Sequence, residues 1–396
     1  MFRYMVVETV VNKEKLLKEQ LLSRDEVMDA LDFIIKKIDE NLETYTYKFP
    51  SACTTEQRYR IKDNDDWTNG FWTGMLWLAY EYTENEKYRK IAEIHIDSFE
   101  KRYEDNFVLE HHDLGFLYLL SAVAGYKITG SEKAKNLGIK AAEKLKGRYQ
   151  EKGKFIQAWG KLGEENEYRM IIDCFLNIPL LYWAYEETND VSYLNVANSH
   201  YNTAINTVIR EDASTYHTYY FDKETGKPTK GVTHQGFKDD SCWARGQAWA
   251  IIGMPLNYRY NLMEESKGIY NAVANYYLNR LPEDLIPYWD LVFKEEDKEP
   301  RDSSSAAIVV CGMLEMAKYN EDLEEKELNI RASNGMLRNL INEYTTKNNS
   351  ESNGILMHGV YSWQHNKGIN ECNLWGDYFY MEGLMRLYNK NWKIYW

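Results

Sequence analysis

Proline, cysteine and basic charge are scarce in this chain of 396 residues, and each shortage removes a class of protein. With 7 prolines and 44% hydrophobic residues, the chain lacks the composition of a disordered or linker-rich protein and can bury a large core. The five cysteines (Cys53, Cys174, Cys242, Cys311, Cys372) are odd in number, far apart and without a Cys-x-x-Cys pair. That argues against a disulfide framework or a cysteine zinc site and predicts reduced, buried thiols. Lys and Arg number 48 against 61 Asp and Glu, a formal net charge of −13 with no basic stripe to offset it. Nucleic acid and anionic membrane surfaces are therefore excluded as expected partners, whereas a small anionic ligand, which needs only a few local cations, is not. Long hydrophobic runs are missing too. The first, from Met1, meets Glu8 before a signal-peptide core can form, and no later run is long enough to span a bilayer, so the expected location is cytoplasmic. Asp63-Asn64-Asp65-Asp66 opens like a calcium loop but lacks the glycine and terminal glutamate at EF-hand offsets, and no metal site is expected.

Aromatic residues, by contrast, are plentiful: 32 Tyr, 13 Phe and 12 Trp. Most fill a core, but flat rings also stack on the apolar faces of sugars. The apolar pattern repeats as couplets. After a helix from about Arg24 to Leu42, N-capped by Ser23, comes an all-round apolar segment from Gly70 to Tyr80, then an amphipathic one from Glu86 to Arg102. The same pair recurs at Asp113–Thr129 and Ser131–Arg148, Asp173–Thr188 and Val191–Ile209, Ser241–Tyr260 and Glu265–Leu278, and Ser303–Tyr319 and Glu325–Tyr344; a last apolar helix runs from Gly376 to Tyr388. With the N-terminal helix this makes twelve. A buried helix followed by an amphipathic one, recurring at roughly 45 to 70 residues, is an αα-hairpin repeat, and an open solenoid would need polar caps that are absent here. The expected fold is an all-α, six-hairpin α/α toroid forming a single domain over residues 1–396, with residues 1–20 as a short extension. Loops entering the inner helices are long and those leaving them are short, so function is expected at the long-loop rim. One long loop, around Tyr219–Lys227, reads as a small hairpin.

Two carboxylates stand at matching places on that rim. Asp113 follows His111-His112 at the mouth of one inner helix, and Asp173 lies among Ile171, Ile172, Cys174 and Phe175 at the mouth of the next. Neighbouring helices pack about 8 to 10 Å apart, so the two acids can bracket one small ring. Each is also a favoured N-cap residue, and that reading stays open at this point. The apolar setting of Asp173 and the histidines beside Asp113 favour chemistry, because a desolvated acid near a second carboxylate keeps a proton available near neutral pH. His112 orients the site or caps its helix; His111 carries no assigned role. Downstream, Thr233-His234-Gln235-Gly236 leads into Trp243-Ala244-Arg245-Gly246-Gln247-Ala248-Trp249, where Arg245 and Trp249 share a helix face. The pair reads either as a structural cation-π contact or as a carboxylate site beside a stacking platform.

Together, W-T-N-G-F-W-T-G from Trp67, H-H-D-L-G-F, A-W-G, I-I-D-C, Tyr216-His217, H-Q-G and W-A-R-G-Q-A-W resemble the unsaturated glucuronyl hydrolases, glycoside hydrolase family 88, over nearly the whole chain. The resemblance implies a six-hairpin α/α barrel without metal or organic cofactor. It also implies an enzyme that removes the 4,5-unsaturated uronic acid left by lyases at the non-reducing end of chondroitin or hyaluronan disaccharides. It makes Asp173 the general acid and base and Asp113 its assistant, with Trp67, Trp159 and Trp249 as stacking surfaces and His112, His217, Gln235 and Arg245 as polar contacts. Near the C-terminus, Tyr361-Ser362-Trp363-Gln364-His365-Asn366-Lys367 resembles the sulfate-contacting segment of some members, with Ser362 and Lys367 matching and His365 departing from the pattern. Sulfated substrate is thus an expectation, and oligomeric state is left open. The rivals are an unsaturated rhamnogalacturonyl hydrolase on the same scaffold and a glycan-binding or isomerising toroid whose carboxylates only cap helices.

Overall fold

Ser23 starts the first long helix, Arg24–Asn41, through a reciprocal cap. Its hydroxyl accepts the Glu26 N–H at 3.2 Å, and its own N–H is taken by the Glu26 carboxylate at 2.7 Å. The structure, a computed structural model, describes residues 5–396; the first four residues of the N-terminal run lie outside them. Six inner segments follow: Asn69–Thr83; Leu114–Tyr118 continuing through Leu119–Val123 and Ala124–Thr129; Cys174–Asn177 with Pro179–Thr188; Ala244–Asn261; Ser303–Met316; and Leu374–Tyr388. Each packs on the next and the last packs on the first, so the ring closes. The helices Glu86–Glu104, Glu132–Lys146, Val191–Thr207, Glu265–Leu278 and Leu323–Asn339 lie outside, and Arg24–Asn41 completes the sixth hairpin by packing on Leu374–Tyr388. This is the expected α/α toroid.

The inner helices are apolar because they are covered on every side: all of Ser303–Met316 is buried, as is the Ala244–Tyr258 stretch of its neighbour. Their far ends turn tightly on left-handed residues such as Gly130 and Asn189, residue types that tolerate positive φ, which keeps those connections short. Two helices expected to be continuous are not. Leu119–Val123 widens into a π turn, and the helix after Asp173 breaks at Ile178 because Pro179 has no N–H to continue the ladder. The helix expected from Ser241 starts only at Ala244, since Cys242 and Trp243 pair instead with the segment around Asp290.

The long loops build small sheets over the near end of the ring. The expected hairpin is present as Thr218–Phe221 and Pro228–Val232, joined by a third strand, Arg169–Ile171, that leads into Asp173. A second hairpin, Gly359–Ser362 with Lys367–Glu371, was not anticipated from the sequence. At the opposite end, Trp392–Trp396 plugs the bore. Trp396 stacks on Phe379 at 5.7 Å and meets Phe116 edge-on at 6.1 Å, while Lys127 holds the carbonyls of Ile394 and Tyr395. All five cysteines are free and buried. Among the described residues no helix is long and apolar enough to cross a membrane.

Candidate active site

Asp113 and Asp173 each occupy the N-cap position of an inner helix, yet neither side chain makes a capping hydrogen bond. Both carboxylates instead converge on His112, whose Nε2 lies 3.1 Å from Asp173 Oδ1 and 3.4 Å from Asp113 Oδ1. Two loop strands place the pair. The His112 N–H donates to the Ala158 carbonyl, and Ile172 N–H, one residue before Asp173, donates to the His217 carbonyl. His112 is almost fully buried and Asp113 nearly so, while the Asp173 side chain is the most open of the three at 19%.

The surroundings of the two acids drive them apart. Burial among Ile171, Ile172, Cys174 and Phe175 pushes the Asp173 carboxyl up; His112 opposes this, Asp113 adds to it, and the net direction is raised. Burial pushes Asp113 up as well, but His112, His111 and Arg148 together outweigh it and hold it below the usual carboxylate range. Burial lowers His112, and the two flanking carboxylates more than reverse this, so it sits above an ordinary imidazole. The cluster is therefore biased toward an ionised Asp113 and a protonated His112, while Asp173 retains its proton more readily than a free carboxyl.

His112 Nδ1 and Nε2, Asp113 Oδ1 and Asp173 Oδ1 are buried without a well-aligned hydrogen bond in the protein. A buried polar atom so placed costs about 1–3 kcal/mol, so their concentration on three touching side chains marks them as groups that meet a ligand. The three also lie within 4.8 Å of one another, close enough to offer a cation one atom each as well as to exchange protons. His111, given no role from the sequence, holds the pair from behind. Its Nε2 lies 3.0 Å from the Val108 carbonyl, and its Nδ1 lies 3.1 Å from the Asp113 backbone nitrogen and 3.2 Å from Asp113 Oδ2.

Around this centre the structure gathers most of the expected contacts. Trp67 stacks on Trp375 at 5.3 Å, packs on Phe116 at 5.4 Å and donates Nε1–H to the Tyr361 hydroxyl at 3.0 Å. Trp159, half-buried, pairs its backbone with His111 and lies under the Arg169 guanidinium at 4.6 Å. His217 is buried, with Nδ1 2.6 Å from the Thr218 hydroxyl and its ring against His234 and Trp243. Burial and the nearby His234, Arg245, Arg169 and His112 keep it far below an ordinary imidazole, hence neutral. Ser362 and His365 share a contact of 2.8 Å between Oγ and Nδ1, and Lys367 Nζ lies 4.0 Å over the Tyr361 ring, which joins this hairpin to Trp67.

Two expectations need correction. Arg245 lies over Trp243 and Trp375, at 4.4 and 4.8 Å, rather than over Trp249. Its four Nη hydrogens are all engaged, with Asp302 at 2.7 Å, Val360 O at 2.6 Å, Gln235 Oε1 at 2.8 Å and Tyr361 O at 2.7 Å, so a ligand carboxylate reaches it only in exchange for one of these. Trp249 lies one turn deeper, 2% exposed, against Phe116 and Phe379, and shapes the site from beneath instead of offering an open stacking face. Tyr361, Asn177 and Arg148 were missed because each acts through a contact that no spacing rule announces: a carbonyl from a distant hairpin, an amide between two helices, a buried guanidinium behind Asp113.

The geometry has counterparts among known proteins. The family model for Glycosyl Hydrolase Family 88 matches residues 41–343. The unsaturated chondroitin disaccharide hydrolase of Streptococcus pneumoniae is 48% identical over 397 residues, covering 100% of both chains, and the unsaturated glucuronyl hydrolase of Bacillus sp. strain GL1 is 42% identical over 353 residues, covering 88% of this chain and 93% of its own. The crystal structure of unsaturated glucuronyl hydrolase from Streptococcus agalactiae superposes with a TM-score of 0.97 at 47% identity over 100% of both chains. A mutant of that enzyme complexed with dGlcA-GalNAc6S superposes at 0.89, with 43% identity and 100% coverage of both chains. This chain belongs to glycosyl hydrolase family 88.

Proposed function

We propose that this enzyme hydrates the C4=C5 double bond of the unsaturated uronic acid on chondroitin or hyaluronan disaccharides, with Asp173 as general acid and base. The observation that carries the reading is the opposed perturbation of two convergent carboxyls that cap nothing: Asp173 raised, Asp113 lowered, both on His112. Protonated Asp173 gives its proton to C4 of the vinyl ether. The resulting carboxylate takes a proton from the water whose oxygen bonds to C5, so the acid is restored within the step. The product is a hemiketal, which opens and releases the second sugar; no glycosyl-enzyme bond forms, and the carboxylate-separation rule for retaining and inverting glycosidases does not apply. Anionic Asp113 and His112 hold ring hydroxyls, Trp67 and Trp159 supply stacking faces, and neutral His217 with Gln235 orients the uronate. Ser362 and Lys367 form the expected sulfate contact, with His365, which departs from the pattern, beside Ser362. The substrate seen with the S. agalactiae relative, dGlcA-GalNAc6S, supports that reading.

The test follows the ultraviolet absorbance of the conjugated double bond with unsaturated chondroitin disaccharide. Wild type abolishes the signal, and Asp173→Asn slows its loss by about 10²- to 10⁴-fold, the usual contribution of a general acid-base residue. Persistence of the signal with wild type, or full activity in Asp173→Asn, overturns the proposal. Faster turnover of an unsaturated rhamnogalacturonyl substrate would instead select the pectin-directed rival.

A further inference from the structure

Asp113 and Asp173 belong to different inner helices, yet their backbones are tied by one side chain. Asn177, 1% exposed, sits one turn after Asp173; its Oδ1 accepts the Phe116 N–H at 3.1 Å and its Nδ2 donates to the Asp173 carbonyl at 3.2 Å. Phe116 N–H is one of the four donors that a helix start leaves without an internal partner, and here the neighbouring helix supplies the acceptor. The two helices also touch backbone to backbone: a Cβ on Gly115 would stand 2.4 Å from Asn177 Cα and 2.8 Å from its carbonyl oxygen. Of the side chains of this size, only an amide offers an acceptor to one helix and a donor to the other; aspartate lacks the donor and leucine both.

We propose that Asn177, seated against Gly115, is a positioning residue that fixes the separation of the two acids and so the distance over which Asp173 reaches C4 and the water. The inference rests on the assignment of Asp173 as acid and base. The groups facing the acids are His111, His112, Arg148 and Arg102 on the Asp113 side, with Cys174 and Arg245 on the Asp173 side. Because His112 travels with Asp113, loosening the tie takes both away from Asp173, and the attraction of His112 outweighs the repulsion of Asp113.

Asn177→Leu and Asn177→Ala are made together, so that failure of one to fold leaves the other, with Gly115→Ala as the reciprocal change. The expected result in a folded variant is a kcat reduced about ten- to hundredfold with KM changed less than about threefold, as a misplacement within the site gives. The basic limb of the kcat-pH profile should move up, a displacement that mere loss of folded protein does not produce. Gly115→Ala shows the same displacement, and the double variant is no worse than the poorer single one. Wild-type kcat in a folded Asn177 variant, or reduced kcat on an unmoved profile, overturns the inference. Inactivity of wild type, or full activity of Asp173→Asn, overturns the proposed function instead, so the two failures are distinct.

Discussion

Asp173 and Asp113 differ by two neighbours, and that difference is measurable one residue at a time. The acid form of Asp173 starts the reaction, so kcat falls as pH rises through its raised pKa. Asp113→Asn removes the like charge that helps raise it, and the basic limb of the profile moves to lower pH; His112→Gln removes the opposing cation, and the limb moves to higher pH. Opposite displacements in the two variants, read from the rate of double-bond loss, are the expected outcome, and displacements of the same sign would refute the assignment of charges. Lys367 gives a second test at this scale. Lys367→Ala should lower kcat/KM for a 6-sulfated disaccharide about five- to tenfold while leaving the unsulfated one nearly unchanged, the size of one exposed charge-assisted contact.

At the scale of elements, the inner and outer helices of the ring were legible because burial on all sides and burial on one face leave different patterns in the sequence. Asp113 and Asp173 were legible for a related reason, since the repeat placed them at equivalent ends of adjacent inner helices. The π turn at Leu119–Val123 left no such mark, because an extra residue in a wholly apolar helix changes no periodicity that burial would reveal. Nor did the Gly359–Glu371 hairpin, whose place is set by Arg245 reaching the carbonyls of Val360 and Tyr361 from across the chain. That guanidinium is neutralised by Asp302 in a wholly buried pair, 2% and 0% exposed. Asp302→Ala leaves the charge unpaired and should cost about 3–5 kcal/mol in urea unfolding. Because the hairpin carries Ser362 and Lys367, the folded fraction should also lose preference for sulfated over unsulfated substrate. Unchanged stability would mean that the pair contributes nothing to holding the hairpin on the ring.

On the scale of the whole molecule, the ring depends on groups that must remain neutral inside it. His95 bridges the Thr73 hydroxyl and the Tyr45 carbonyl, tying an outer helix to an inner one and to the loop before it, and His200 accepts the Ile156 N–H. Burial lowers His95 to about 4 and His200 to about 3. Both histidines are neutral when folded and gain protons on unfolding, so their contribution is intact above the unfolded value of about 6.5 and is lost as pH falls below it. Between pH 7 and 5 the two together remove about 4 kcal/mol of unfolding free energy. The protonation of surface carboxylates acts the other way in a chain of net charge −13, relieving self-repulsion, so the telling quantity is a difference in slope. His95→Gln keeps polar atoms near Thr73 and Tyr45 but cannot titrate. Its stability, measured by urea unfolding at each pH, should start lower than wild type at pH 7 and fall by about 2 kcal/mol less on the way to pH 5. Parallel curves for the two proteins would show that His95 is protonated to the same degree in the folded and unfolded chains, and that the closed ring holds no cost against its charge.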